Sequence, residues 1–142
     1  RFSVEYEIDE HLLDMYTLKF ILQPIVENSI LHAFADFSQG GLITISAYEM
    51  EGKLLVSIHD NGSGMDEGTL GRVHDGLRSS GGINSVGLRN VYDRIRLHFG
   101  SEYYLKVESN TEGTEVLLLL PFLTLKPKST YIGENSKPVF VY

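Results

Sequence analysis

Hydrophobic residues recur along this chain with two periods, and the changes of period divide it into elements. Phe2, Val4, Tyr6 and Ile8 alternate with Ser3, Glu5 and Glu7, which predicts a strand with one face buried. Asp9 is expected to cap a short helix over Glu10 to Met15. From Leu18 the period lengthens: Leu18, Leu22, Ile25, Val26, Ser29 and Ala33 fall at helical spacing and define a core stripe. Pro24 either kinks that helix or stands near its start, because proline removes a backbone donor and disfavours the helical conformation at Gln23.

After Gln39-Gly40-Gly41 the period returns to two. Ile43, Ile45 and Ala47 alternate with Thr44, Ser46 and Tyr48, and beyond the Glu51-Gly52-Lys53 turn Leu54, Val56 and Ile58 alternate with Leu55, Ser57 and His59, so a hairpin is the economical arrangement. Eight of the fourteen glycines lie between Gly62 and Gly87, which predicts a long functional loop with only a short helix over Thr69 to Leu77. Leu88, Val91, Tyr92, Ile95 and Phe99 then mark an amphipathic helix closed by Gly100. Tyr103, Leu105 and Val107 alternate with Tyr104, Lys106 and Glu108; a turn at Asn110-Thr111-Glu112-Gly113 follows, and Val116 to Leu120 reads as a strand buried on both faces. The core is expected to end near Pro121 or Phe122. Residues 123–142 are read as a tail with a short edge strand at Val139-Phe140-Val141.

Composition narrows the class. At 142 residues, 42% hydrophobic and 22% charged, the chain fits one soluble domain able to bury a substantial core. The apolar run from Val116 to Leu123 is far too short to cross a bilayer. A formal charge of −7 argues against nonspecific nucleic-acid binding, which needs Lys and Arg concentrated on one face. Without cysteine there are no disulfides and no thiolate zinc sites, a composition compatible with a reducing compartment. Because the chain begins at Arg1 and shows no signal-peptide pattern, it is expected to be a piece of a longer protein.

Candidate chemistry sits at four places. Asn28 and His32 are four apart and share one side of a helix, with Glu27 one step around it; an amide oxygen there is a hard ligand suited to Mg²⁺, although a solvated helix face has the same look. Asp60 ends a strand immediately before Asn61-Gly62-Ser63-Gly64-Met65. Its carboxylate can accept a hydrogen bond from an exocyclic amine, and glycines let backbone approach a flat ring, while Asp-Asn-Gly is equally turn chemistry. Gly87 and Leu88 open the helix that carries Arg89, Arg94 and Arg96, whose free N–H groups would suit a phosphate or simply a cap. Thr114 follows the turn glycine and either contacts the same base or is an ordinary strand threonine. His59 and His74 lack partners at metal-ligand spacing, and neither a zinc site nor a Ser-His-Asp site has support.

Taken in order, these motifs resemble the ATP-binding catalytic domain of sensor histidine kinases, in the superfamily of gyrase, the heat-shock chaperone, histidine kinases and MutL. Leu22-Gln23-Pro24-Ile25-Val26-Glu27-Asn28-Ser29-Ile30-Leu31-His32 together with Val86-Gly87-Leu88-Arg89-Asn90-Val91-Tyr92-Asp93-Arg94-Ile95 is similar, more narrowly, to the LytS/YesM-like sensor kinases. The resemblance covers roughly residues 1–122. It implies an α+β, two-layer α/β sandwich of the Bergerat type, with helices on one face of a mixed, mostly antiparallel sheet and a flexible ATP lid. It also implies ATP and Mg²⁺ as ligands. Asn28 would bind the metal, Asp60 the adenine amine, Gly62 and Gly64 the floor of the base site, and Gly87 and Leu88 the phosphates, with Thr114 supporting Asp60, His32 beside the nucleotide and Met65 among the residues that bind it.

The implied activity is transfer of the γ-phosphoryl group to a histidine outside these residues, within a cytoplasmic domain of a dimeric, membrane-anchored sensor that signals to a response regulator. Three departures matter. Leu31 stands where many histidine kinases have lysine, so one phosphate contact is either absent or supplied by a lid arginine such as Arg72 or Arg78. Ser85 replaces a common first glycine, and Pro24 occupies the position of the glutamate used by ATP-hydrolysing members, leaving Glu27 as the candidate catalytic carboxylate. A non-catalytic ATP-sensing interaction module of the same fold is therefore an alternative, and an ATP-hydrolysing clamp or an anti-sigma-type serine kinase stands behind it.

Overall fold

The computed structural model describes residues 2–13, 21–34, 40–78 and 86–122. Five strands form one sheet in the order β1-β2-β3-β5-β4, with β1 Phe2–Ile8, β2 Gly41–Met50, β3 Lys53–Asp60, β4 Tyr104–Asn110 and β5 Gly113–Pro121. Only β1 and β2 run parallel; β2–β3, β3–β5 and β4–β5 are antiparallel. Three helices, α1 Gln23–Asn28, α2 Glu67–Arg78 and α3 Val86–Phe99, supply apolar side chains to the core on one face of this sheet. The result is the two-layer α+β arrangement of a mixed, mostly antiparallel sheet.

The register explains the alternation. Ile43, Ile45 and Ala47 of β2 stand opposite Asp60, Ile58 and Val56 of β3, which in turn face Thr114, Val116 and Leu118 of β5. Those positions, with Leu105 and Val107 of β4, form the sheet's contribution to the core, and Ile21, Ile25, Val91 and Ile95 close it from the helices. Ile25, Ile43, Ile58, Val91, Ile95, Leu118 and Leu120 are fully buried. Each such aliphatic side chain contributes about 1.5–3 kcal/mol by leaving water, so this seam holds the two layers together. The far face of the sheet carries Ser57, whose hydroxyl donates to Glu115 at 2.6 Å, along with His59, Lys106 and Glu108.

Several local expectations change. β1 forms where predicted, but Phe2 and Tyr6 remain 46% and 69% exposed, because an edge strand has a single neighbour and its apolar face lies at the margin of the helical layer. The Asp9 side chain makes no capping bond; a single 3₁₀ turn at Glu10–Leu12 is held instead by Leu12 N–H to the Asp9 carbonyl at 2.9 Å. Pro24 stands in the first turn of α1 and starts it without a kink, while the Leu22 carbonyl accepts from Ile25 and Val26. In the glycine-rich stretch after Gly62 the helix expected over Thr69 to Leu77 forms and is longer, Glu67–Arg78. Asp66 caps α2 by accepting the Thr69 N–H at 2.6 Å, and Leu70, Val73 and Leu77 turn one side of that helix into the core, which outweighs the helix cost of Gly68, Gly71 and Gly76. Leu18, Ser85 and residues 123–142, with the expected edge strand at Val139-Phe140-Val141, lie outside the described residues.

Candidate functional site

A cleft opens between the end of α1, the start of α3 and the ends of β3, β4 and β5. It is lined by Asn28, Ser29, His32, Ala33, Asp60, Gly64, Met65, Leu88, Val107, Thr114 and Val116. Seven of the residues singled out in the sequence therefore meet on one wall or another: Asn28, His32, Asp60, Gly64, Met65, Leu88 and Thr114.

One helical face supplies the first wall. The Ser29 N–H is shared between the carbonyls of Ile25 and Val26, and the chain widens there into a π-helical turn, Ser29–Ala33. Such widened turns are frequent at functional sites. The spacing puts Asn28, Ser29, His32 and Ala33 on the cleft side, while Leu31 points away and is 67% exposed. Glu27 lies outside the cleft lining, exposed, and accepts the Gln23 side-chain amide at 2.9 Å.

The floor is Asp60, only 2% exposed, at the end of β3 between Ile43 and Thr114. Its Oδ1 accepts two backbone N–H groups, from Gly62 at 3.1 Å and from Thr114 at 3.3 Å. Burial pushes this carboxyl above its usual range, and the Gly62 N–H, the Ser29 hydroxyl and the Thr114 N–H pull the other way by hydrogen-bonding the charged form. A buried, backbone-anchored carboxylate of this kind is an acceptor held still for a ligand's N–H.

The loop after Asp60 is fastened on both sides. Asn61 exchanges hydrogen bonds with Leu42, donating its N–H at 3.1 Å and accepting at Oδ1 at 2.7 Å. A Cβ at Gly62 would meet Ala33 at 2.5 Å, so this glycine lets the loop pack under the π-helical turn, beneath the cleft rather than on its surface. Gly64 has φ +70° and its missing side chain would collide with the Asn110 backbone; Gly113, at φ +140°, is pressed against the Asp60 backbone in the same way. Ser109 ties these pieces together: it accepts the Met65 N–H at 2.9 Å, donates to the Gly113 carbonyl at 3.0 Å and meets the Thr114 hydroxyl at 2.9 Å.

At the third wall stands the buried Leu88; Gly87 before it is exposed and outside the cleft lining, where a Cβ would lie 3.7 Å from Pro24, an ordinary contact. Arg89 does not face the cleft. Its Nε pairs with Asp93 at 2.9 Å and its Nη1 donates to the carbonyls of Gly76 and Leu77, closing the C-terminal end of α2. Arg96 donates to the Tyr92 hydroxyl, and Arg72 to the Thr69 hydroxyl. Among the described residues that line the cleft there is no Lys or Arg. His74 bonds the Val107 carbonyl at 2.9 Å.

Sequence reasoning overlooked Ser29, Ala33, Val107, Val116 and Ser109. Ser29 and the two valines were counted as core by their spacing, and a small hydroxyl inside an apolar stripe beside Asn28 was the one available signal. Ser109 gives none, since a serine near a hairpin turn is ordinary.

The chain belongs to the family described as histidine kinase-, DNA gyrase B- and HSP90-like ATPases, whose sequence pattern matches residues 14–124. Within it, the chain is 35% identical over 122 residues to the sensor histidine kinase YesM of Bacillus subtilis, covering 85% of this chain and 20% of the relative. It is 32% identical over 127 residues to the sensor protein LytS of Staphylococcus epidermidis, covering 89% and 21%. The chain thus spans about a fifth of the length of these curated relatives. Its fold is similar to the histidine kinase domain of a blue-light activated histidine kinase from Erythrobacter litoralis, with TM-score 0.57, 20% identity and coverage of 85% of this chain and 52% of that one. A mycobacterial sensor histidine kinase, MprB, gives TM-score 0.57 at 17% identity, covering 87% and 84%. The fold is accordingly the Bergerat-type sandwich of histidine kinase ATPase domains.

Proposed function

We propose that this chain is the catalytic ATP-binding domain of a two-component sensor histidine kinase, which holds ATP with Mg²⁺ in the cleft and delivers the γ-phosphoryl group to a histidine outside these residues. The observation that carries the reading is Asp60. It is a buried carboxylate anchored by two backbone N–H groups on the floor of a cleft whose opposite wall carries Asn28. Family membership and the likeness to YesM and LytS support it. Asp60 receives the adenine amine, the apolar side chains of Met65, Leu88, Val107 and Val116 flank the base, and the α3 start at Gly87 and Leu88 faces the phosphates with its free N–H groups.

The donor set fits Mg²⁺. Among the described residues no group of three or more carboxylates or histidines could hold a metal; Asn28 would supply one neutral oxygen, and the rest of the shell would be left to phosphate oxygens and water, as this cation prefers. Bound there, the ion neutralises phosphate charge, and the chain's own work is positioning, which is what phosphoryl transfer mostly needs. Glu27, exposed beside Asn28 and held by Gln23, is where an incoming histidine would be met. The partners proposed are the histidine-bearing dimerisation segment of the same protein and a response regulator, with the parent a membrane-anchored homodimer and this domain cytoplasmic. No helix among the described residues is long and apolar enough to cross a membrane.

The absence of Lys or Arg among the described cleft residues, with Leu31 exposed, favours a second reading in which the domain senses ATP without transferring phosphate. Labelled ATP, Mg²⁺ and the histidine-bearing segment of the parent protein separate the two. Acid-labile, alkali-stable label on that segment is the expected result. A nucleotide-loaded domain that never labels it supports the sensing module, and acid-stable label points to serine as acceptor.

A further inference from the structure

The helices cover one side of the sheet, and the other side is divided between apolar and acidic ends. Tyr48, Leu55, Leu119 and Tyr104 stand in one register row across β2, β3, β5 and β4. Leu55 and Leu119 are only 8% and 7% exposed there, although neither belongs to the core cluster and the helices pack on the opposite side. The flanking Tyr48 and Tyr104 stay 42% and 41% exposed, and Met50, in the next row with Lys53 and Pro121, is 42% exposed. Toward the other ends of the strands the same face turns acidic. Glu5 aligns with Thr44, and Glu115 stands between His59 and Glu108, while Glu7 accepts the Ser46 hydroxyl and Lys106 is already paired with Glu108. Exposed apolar side chains gathered beside a polar border mark a contact surface.

We infer that residues 123–142 of the same chain occupy this surface, crossing the outer face as a basic, apolar strap with Val139-Phe140-Val141 seated on the tyrosine row. Three observations select this occupant. The segment continues directly from β5, whose last residue, Pro121, already stands in the row beside the tyrosines. Its length suffices: residues 123–138 reach up to about 50 Å when extended, whereas five strands span about 20 Å. Its charge is opposite to that of the chain as a whole, with Lys126, Lys128 and Lys137 against Glu134 in a protein of net charge −7, which suits the carboxylates at the acidic end of the face. A second copy docked face to face would instead bring Glu5, Glu7, Glu108 and Glu115 toward their own counterparts. The inference is independent of what the cleft binds.

Paramagnetic broadening of NMR signals in the full chain tests this, and the absence of cysteine allows a single nitroxide label at a chosen site. Lys106→Cys puts the label on the outer face beside the tyrosine row, and Leu97→Cys puts it on α3, on the helical side, where the side chain is 77% exposed. The label at 106 is expected to erase the amide signals of Val139 to Tyr142, and the label at 97 to leave them. Mixing isotope-labelled chains that carry no nitroxide with nitroxide-bearing chains that carry no isotope should produce no loss, which makes the contact intramolecular. Val139→Ser, Phe140→Ser and Val141→Ser together should restore the erased signals and lower the Tm. Tail signals that neither label affects overturn the inference and leave the face to a partner protein. Loss that appears in the mixture overturns it in favour of a second copy, and loss that persists in the triple-serine chain removes Val139-Phe140-Val141 from the tyrosine row and overturns it as stated.

Discussion

The Thr114 backbone N–H and the Asp60 carboxylate meet at 3.3 Å across the β3–β5 register, so the end of one strand and the start of another fix the floor of the cleft between them. The burial of that carboxylate has a pH signature. Burial raises the Asp60 carboxyl above its ordinary 3.8, so folding favours the protonated form; this contribution is complete below the unfolded-state value and is lost as pH rises through the folded-state value. Asp60→Asn removes the titration. Its Tm relative to wild type should therefore increase as pH rises from about 4 to about 7, measured by circular dichroism melts. A difference that is flat or shrinks over that range would contradict the assignment of Asp60 as a carboxylate strained by burial.

Two glycines of the site should behave in opposite ways. At Gly64 the backbone has φ +70° and a Cβ would collide with Asn110, so Gly64→Ala should lose at least about 2 kcal/mol in denaturant unfolding. At Gly87 a Cβ makes only an ordinary contact with Pro24, so Gly87→Ala should change stability by less than about 0.5 kcal/mol. Its effect should appear instead in nucleotide affinity, because the backbone there faces the phosphates in the proposed function. Gly87→Ala with unaltered affinity would remove the start of α3 from the phosphate site.

Arg89 is predicted to matter for folding and not for nucleotide. Its side chain pairs with Asp93 and closes the end of α2 through the Gly76 and Leu77 carbonyls. Arg89→Ala should cost roughly 1–2 kcal/mol, and Arg89→Lys should recover little of it, because a point charge cannot reproduce the guanidinium fork. ATP affinity of the folded Arg89→Ala protein should stay within about 2-fold of wild type, a change too small for the loss of a charged hydrogen bond to phosphate. A loss of tenfold or more would place Arg89 at the phosphates.

Strands and helices were legible wherever burial alternated, because the period of apolar positions records which face meets the core: Ile43 to Ala47, Leu54 to Ile58 and Leu88 to Phe99 form elements where the pattern put them. α2 was underestimated because glycine density masks what one cap, the buried Val73 and Leu77 and the half-buried Leu70 accomplish. In the site, Asn28 was legible as a polar residue on the edge of an apolar helix, and Asp60 and Thr114 as polar residues at strand ends. Ser29 and Ser109 were not, since their importance lies in contacts between residues distant in sequence, one to Asp60 and the other to Met65, Gly113 and Thr114. The glycines were recognised for a partly different reason than the one the fold supplies: Gly62 makes room for Ala33, and Gly64 for the Asn110 backbone.

The central claim is that the cleft floored by Asp60 binds ATP with Mg²⁺. Calorimetric titration of a non-hydrolysable ATP analogue with Mg²⁺ into the wild type and into Asp60→Asn addresses it in one experiment. One site per chain, weakened by at least about tenfold in the variant while its fold persists, is the predicted result, since a charged hydrogen-bond acceptor is lost. No binding by the wild type, or equal binding by both proteins, would contradict the account.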